Sequence, residues 1–131
     1  MKVTLITGAS GGIGKAFAER LASEKHNLVL VARSEEKLKE LCDQLSTKHG
    51  IAATYIVTDL TQVGSDKLIA DEIVNRKLEV SWLINNAGSG SGGDLLESSL
   101  EAYQKMMQLN MNALVELTYR FLPQMRAIRG F

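Results

Sequence analysis

Two short stretches carry residue types whose spacing suits the binding of phosphate. Eight of the 11 glycines fall in two clusters, Gly8, Gly11, Gly12, Gly14 and Gly88, Gly90, Gly92, Gly93. Glycine permits positive φ and lets a ligand come close to the backbone. In Thr7-Gly8-Ala9-Ser10-Gly11-Gly12-Ile13-Gly14, glycines at 8, 12 and 14 allow a tight turn. They leave amides and a helix N-terminus aimed at an anion, with pyrophosphate the expected guest. The plainer alternative is a tight strand–helix turn with no ligand. Two such patches suggest two loops facing one ligand.

The elements that would position these loops follow from hydrophobic periodicity. Residues 2–7 and Leu28–Ala32 read as buried strands, 51–57 as a third and 80–85 as a fourth. Ile13, Phe17, Ala18 and Leu21 recur at helical spacing over about Gly12 to Glu24. Ser34 is a good N-cap for a second helix, with Glu35 and Glu36 in its first turn, Leu38, Leu41 and Leu45 inward, and a stop near Gly50. Thr61 or Asp59 could cap a third helix, with Leu68, Ile69 and Ile73 facing the core. A last helical stretch covers Leu96 to Arg126, with a break near Glu101 and a kink or stop at Pro123. Alternation of this kind predicts a three-layer α/β fold, a doubly wound parallel sheet of Rossmann-like order 3-2-1-4. Both glycine clusters then follow the carboxyl ends of neighbouring strands, the first and the fourth, at the switch point where ligands bind.

Composition narrows the class. The 131 residues are 45% hydrophobic and 23% charged, which suits one folded domain over residues 1–131. Lys+Arg and Asp+Glu both number 15, so no basic excess points to nucleic acid. The longest apolar run, Leu28–Ala32, is far below the roughly 20 residues of a membrane span. Cys42 stands alone, and His26 and His49 have no acidic or cysteine cluster beside them, so neither an intrachain disulfide nor a metal site is expected. These features predict a cytoplasmic protein.

Thr7 to Gly14, Asn85-Asn86-Ala87-Gly88 after the fourth strand, and Asp59-Leu60 after the third stand in the order and spacing of one family. The chain resembles the short-chain dehydrogenase/reductase family over all 131 residues. Each motif alone is weak; three in order on the right elements are strong. The resemblance implies a nicotinamide dinucleotide and redox chemistry on a carbonyl or secondary alcohol of small-molecule size. Gly8, Gly12, Ile13 and Gly14 would hold the pyrophosphate. Asp59 and Leu60 would contact adenine, Asp59 having an Asx turn or helix cap as its plainer role. Asn86, Ala87 and Gly88 would border the adenosine ribose.

Arg33 stands at the end of the second strand, 19 residues after Gly14. There an acid accepts from the 2′-hydroxyl of NAD, whereas an arginine accommodates the 2′-phosphate of NADP. NADP is therefore expected over NAD, with Ser10 as a second phosphate contact. The plainer reading of Arg33 is a surface arginine paired with Glu35 or Glu36. Asn110 lies mid-helix between Met107 and Leu114, where a buried amide needs partners. By resemblance it matches the family's catalytic-site asparagine, which holds a helix kink and a water in a proton relay.

The family also uses a serine and a Tyr-x-x-x-Lys pair. The residues four after Tyr55, Tyr103 and Tyr119 are Asp59, Met107 and Pro123, so no such pair stands in the chain. The expectation is the cofactor-binding half of a reductase, ending before the fifth strand. A homo-oligomer or a completing C-terminal half would be its partner. A catalytically silent dinucleotide-binding or regulatory module is the alternative. A row of Met107, Leu114, Leu117, Phe121 and Met125 on the last helix adds to the expectation of self-association.

Overall fold

The computed structural model describes residues 1–89 and 93–129, so Gly90 and Gly92 of the second glycine cluster lie outside it. Four parallel strands, β1 (Lys2–Thr7), β2 (Leu28–Ala32), β3 (Ala53–Val57) and β4 (Glu79–Ile84), form a sheet of order β3-β2-β1-β4. This is the order predicted from the alternation of strands and helices. The register of β1 on β4 is in step from Lys2↔Glu79 to Val3↔Val80, then skips a residue to Thr4↔Trp82.

Helices α1 (Gly12–Ser23) and α2 (Glu35–His49) cover one face. Ala18, Leu21 and Ala22 meet Leu38, Leu41, Cys42 and Leu45 over Ile6, Leu28 and Leu30. Helices α3 (Ser65–Asn75), α4 (Leu100–Met107) and α5 (Ala113–Arg129) follow. Ile69 and Ile73 of α3 join Ala113, Leu117 and Phe121 of α5 over Val3, Leu5, Val29 and Val80 on the other face. Strand residues therefore feed two cores alternately, as a sheet buried on both faces requires.

Several local expectations are corrected. The third strand starts at Ala53, two residues later than read, because Ala52 uses its amide on the Asn27 side chain. Neither Thr61 nor Asp59 caps α3; Gly64 does, with φ 91. Leu68 is 44% exposed, and Ile13 and Phe17 are 70% and 42% exposed. They lie on the rim of an apolar stripe that Ala18 and Leu21, or Ile69 and Ile73, centre on the sheet. The last stretch breaks near Glu101, as expected, at Ser98–Ser99, but it is interrupted a second time and begins with a 3₁₀ turn. A 3₁₀ turn at Leu95–Glu97 is followed by α4, capped by the Ser99 hydroxyl. A π turn over Gln108–Asn112 then leads into α5. The expected apolar row splits accordingly: Leu117 and Phe121 are buried and Met125 packs on the core, while Met107 and Leu114 are exposed. Pro123 lies inside α5.

Candidate dinucleotide-binding site

The first glycine loop is held open by β1 and β4 together. The Thr7 hydroxyl donates to the Ile84 carbonyl at 3.4 Å and accepts from the Asn86 and Ala87 amides at 3.1 and 3.0 Å. The Asn86 side-chain amide donates to the Gly8 carbonyl at 3.1 Å. One threonine and one asparagine thus lock the turn after β1 to the turn after β4. Thr7 belongs to the glycine motif, but its bracing role was not legible, because it depends on which strand neighbours β1.

Glycine is required here for two different reasons. Gly8 has φ 63, a left-handed conformation. Gly14 lacks that constraint, but a Cβ there would lie 2.2 Å from the Gly8 carbonyl oxygen and 2.6 Å from Asn86 Nδ2. The glycine lets α1 enter directly behind the loop. Gly11, the N-cap of α1, offers no side-chain cap, and the first turn of α1 holds no acid. Its leading amides therefore face outward with the positive end of the helix dipole.

A cleft of about 580 Å³ opens between the two loops. Gly8, Ser10, Arg33, Asp59, Leu60, Ala87 and Gly88 line it, together with Ser34, Lys37, Thr58, Thr61, Ser89 and Leu109, which the sequence reading missed. Gly12, Ile13, Gly14, Asn86 and Asn110 do not line it. Gly14 and Asn86 stand behind its wall, and Ile13 lies exposed beside the start of α1.

Asn110 sits in the π turn and is half-buried rather than buried. Its Oδ1 accepts from the Ser89 amide at 2.8 Å, and its Nδ2 donates to the Ser89 carbonyl at 2.6 Å. The partners its amide needs are therefore the backbone of the second glycine loop. The stripe between Met107 and Leu114 that was expected to bury it faces outward.

The cleft is cationic at one end. Arg33 and Lys37 are exposed and form no ion pair within 4 Å among the described residues. The pairing of Arg33 with Glu35 or Glu36 is not found. Instead the Glu35 carboxylate accepts from the Tyr55 hydroxyl at 3.2 Å. Asp59 closes an Asx turn, its Oδ1 accepting from the Thr61 amide at 2.9 Å and hydroxyl at 2.7 Å. The hydrogen bond from the Thr61 hydroxyl is the largest cause holding its carboxyl below the usual range, and Arg33 lowers it further. Cys42, pushed up to about 11 mainly by burial, is no nucleophile. Among the described residues no group of three or more metal-ligating side chains occurs, and no helix is long and apolar enough to cross a membrane.

A family model described as short chain dehydrogenase matches residues 2–130. The chain belongs to the short-chain dehydrogenase family. It is 36% identical over 129 residues to an uncharacterized oxidoreductase of Mycobacterium tuberculosis, covering 95% of this chain and 38% of that protein. It is 35% identical over 130 residues to an 11-beta-hydroxysteroid dehydrogenase of Pinus massoniana, covering 98% and 36%. L-sorbose reductase from Gluconobacter frateurii, solved with NADPH and L-sorbose, superposes with a TM-score of 0.89 at 34% identity, covering 97% of this chain and 48% of that one. A short-chain dehydrogenase from Sphingobium yanoikuyae in complex with NADPH gives 0.85 at 33%, covering 99% and 50%. The chain spans half the length of these dehydrogenases or less.

Proposed function

We propose that residues 1–131 act as one dinucleotide-binding unit, the cofactor-holding half of an NADP(H)-dependent oxidoreductase for a carbonyl or secondary alcohol. The observation that carries this is Arg33 at the rim of the glycine-walled cleft, with Glu35, two residues on in the chain, engaged by Tyr55. The donor set suits a phosphorylated dinucleotide. Gly8 admits the backbone approach, the uncapped start of α1 suits the pyrophosphate, and Leu60 and the Asx turn at Asp59 offer a mixed apolar and polar seat for adenine. NADPH solved in structural neighbours supports the same choice over NADH.

When bound, the nicotinamide would supply the hydride. The chain's own residues bind and orient. Thr7, Asn86 and Asn110 fix the two loops to each other and to the π turn, so that both walls of the cleft stay in place. Asn110 is a neutral amide and has no proton to give a developing alkoxide, and no tyrosine in the chain precedes a lysine by four residues. Binding is therefore the property to measure on these residues. Exposed Met107, Met111, Leu114, Val115, Tyr119 and Leu122 on α4, the π turn and α5 support self-association. A mass near 14.3 kDa across a wide concentration range in light scattering would contradict that part.

The test is titration calorimetry with NADPH and NADH. NADPH is expected to bind roughly tenfold or more tightly, the contribution of one charge-assisted contact. Arg33→Asp is expected to reverse the order. Equal affinities in the unaltered chain would overturn the reading.

A further inference from the structure

We propose that the π turn carries a second ligand site on the side away from the cofactor cleft, which takes an uncharged aliphatic ligand through a carbonyl oxygen. The donor it offers is the side-chain amide of Gln108.

Gln108 is only 8% exposed. Its Oε1 accepts from Asn112 Nδ2 at 3.0 Å, four residues on. Its Nε2 is buried as well and has no acceptor among the described residues. Buried polar atoms are ordinarily hydrogen-bonded, and a donor left without a partner costs the fold stability. A methionine of similar volume would fill the same space without that cost. The orphan donor is what an acceptor on a ligand would complete.

Gln108 lines a cavity of about 490 Å³ between the loop after β3 and the stretch from α4 into the π turn. Val63, Met107 and Met111 give it an apolar wall, and each is half or more exposed. Thr61, Gln104 and Asn112 add neutral polar groups. The two charged residues that line it, Glu101 and Lys105, engage each other at 3.4 Å. The cavity therefore has no net charge to offer. Its complement is a neutral molecule with an acceptor oxygen and an apolar body. Methionine side chains are flexible, so the wall can give way as the oxygen reaches Nε2.

The cavity and the cofactor cleft meet at the π turn. Leu109, beside Gln108 in the turn, lines the cleft, and Thr61 lines both openings. Asn110 of the same turn holds Ser89. A ligand on Gln108 steadies the turn that carries a wall of the cleft, so each ligand should tighten the binding of the other. That coupling rests on the cofactor reading above; the site itself does not.

The test titrates the 131-residue chain with N,N-dimethylhexanamide, which has an acceptor oxygen and no N–H. Nuclear magnetic resonance follows the Gln108 side-chain amide and the methyl groups of Val63, Met107 and Met111. Hexylamine and hexanoate, a cation and an anion of like length, are the controls. The dimethylamide is expected to shift those signals with a Kd of about 1 mM, and the controls to bind at least about threefold more weakly. Gln108→Met keeps the volume and removes the donor. It should weaken the dimethylamide roughly three- to tenfold, with an equal or higher melting temperature. Gln108→Glu keeps the acceptor for Asn112 but replaces the donor with an acceptor, and should favour hexylamine instead. Undisturbed signals, unchanged affinity in Gln108→Met, or a lower melting temperature in that variant would overturn the proposal. Hexanoate binding as tightly as the dimethylamide would also overturn it, since Lys105 would then be the attraction. Met107 and Met111 belong as well to the face that supports self-association. An affinity that falls as protein concentration rises would put a second copy in the cavity and overturn the proposal. NADPH should tighten the dimethylamide severalfold. If NADPH binds and the affinity does not change, the coupling is wrong and the site stands. If NADPH itself does not bind, the cofactor reading falls and the dimethylamide still decides the site.

Discussion

Asn110 meets both backbone groups of Ser89, accepting from its amide at 2.8 Å and donating to its carbonyl at 2.6 Å. A side-chain amide here does what a neighbouring strand would do, pinning the loop after β4 to the π turn that precedes α5. The π turn matters because it displaces one residue from α-helical register, which is often a feature of functional sites. Replacing Asn110 by alanine removes both bonds at a half-exposed site. A loss of about 1–2 kcal/mol is expected in urea unfolding, with weaker NADPH binding from a looser loop. Unchanged stability and affinity would show that the loop is held by Thr7 and Asn86 alone.

The glycine loop gives a sharper contrast. Gly14→Ala would put a methyl group 2.2 Å from the Gly8 carbonyl oxygen, against backbone that Asn86 holds in place. Overpacking of this kind costs roughly 1–3 kcal/mol. Nothing lies within 4 Å of a Cβ at Gly11, whose φ of −169° is ordinary extended backbone. Gly11→Ser should therefore be neutral or slightly stabilising as an N-cap. Thermal unfolding of the two variants side by side checks the pair of statements, and equal effects would refute the steric account.

The interface of α3 and α5 predicts a pH dependence. Buried Asp66 is paired with Arg120, and Glu116 lies against the same carboxylate. Burial, then Asp66, pushes the Glu116 carboxyl up. Burial raises Asp66 too, but the hydrogen bond and charge of Arg120 outweigh it and leave its carboxyl below the ordinary range. The signs are opposite. Asp66 stabilises the fold above its unfolded value, about 3.9, and that contribution is lost as pH falls through its lowered folded value. Glu116 costs stability above its raised folded value, and the cost disappears as pH falls below the unfolded value of about 4.3. Glu116→Gln should therefore raise the unfolding free energy measured in urea at pH 7, by less than about 1 kcal/mol, with the gain fading toward pH 4. A gain that persists unchanged at pH 4 would assign the effect to packing.

The parts legible in the sequence are those that periodicity and glycine spacing record directly. The four strands, their order and the faces of α2 all follow from runs such as Leu28–Ala32 and from Leu38, Leu41 and Leu45. What escaped depends on direction in space. Leu68 and Ile69 are both apolar, and only the packing of α3 on α5 and β4 decides that Ile69 is buried and Leu68 is not. Asp59 looks like a helix cap because it precedes a helical pattern, yet its carboxylate turns back on Thr61 and leaves Gly64 to start α3. Lys37 carries no motif signal, since a lysine in a charged helix is ordinary until a cleft opens beside it.

The bond between Tyr55 and Glu35 supplies the last prediction. Tyr55 lies on β3 and reaches the first turn of α2, where its hydroxyl donates to the Glu35 carboxylate at 3.2 Å. Burial and that carboxylate push the phenol above its ordinary value, so it remains a donor at neutral pH. The bond ties Glu35, which stands two residues after Arg33 and does not line the cleft, to β3. Tyr55→Phe removes the donor, keeps the ring and frees Glu35 to turn toward Arg33. NADPH affinity should then fall about two- to fivefold, the range of an exposed ion pair, while NADH binding stays level. Adding Glu35→Gln to Tyr55→Phe should restore NADPH binding, because the competing charge is gone. The double variant separates this account from a packing effect, since a ring displaced by the loss of its hydroxyl would weaken binding whether or not Glu35 is charged. If Tyr55→Phe and the double variant bind NADPH equally weakly, Tyr55 has no part in keeping Arg33 available.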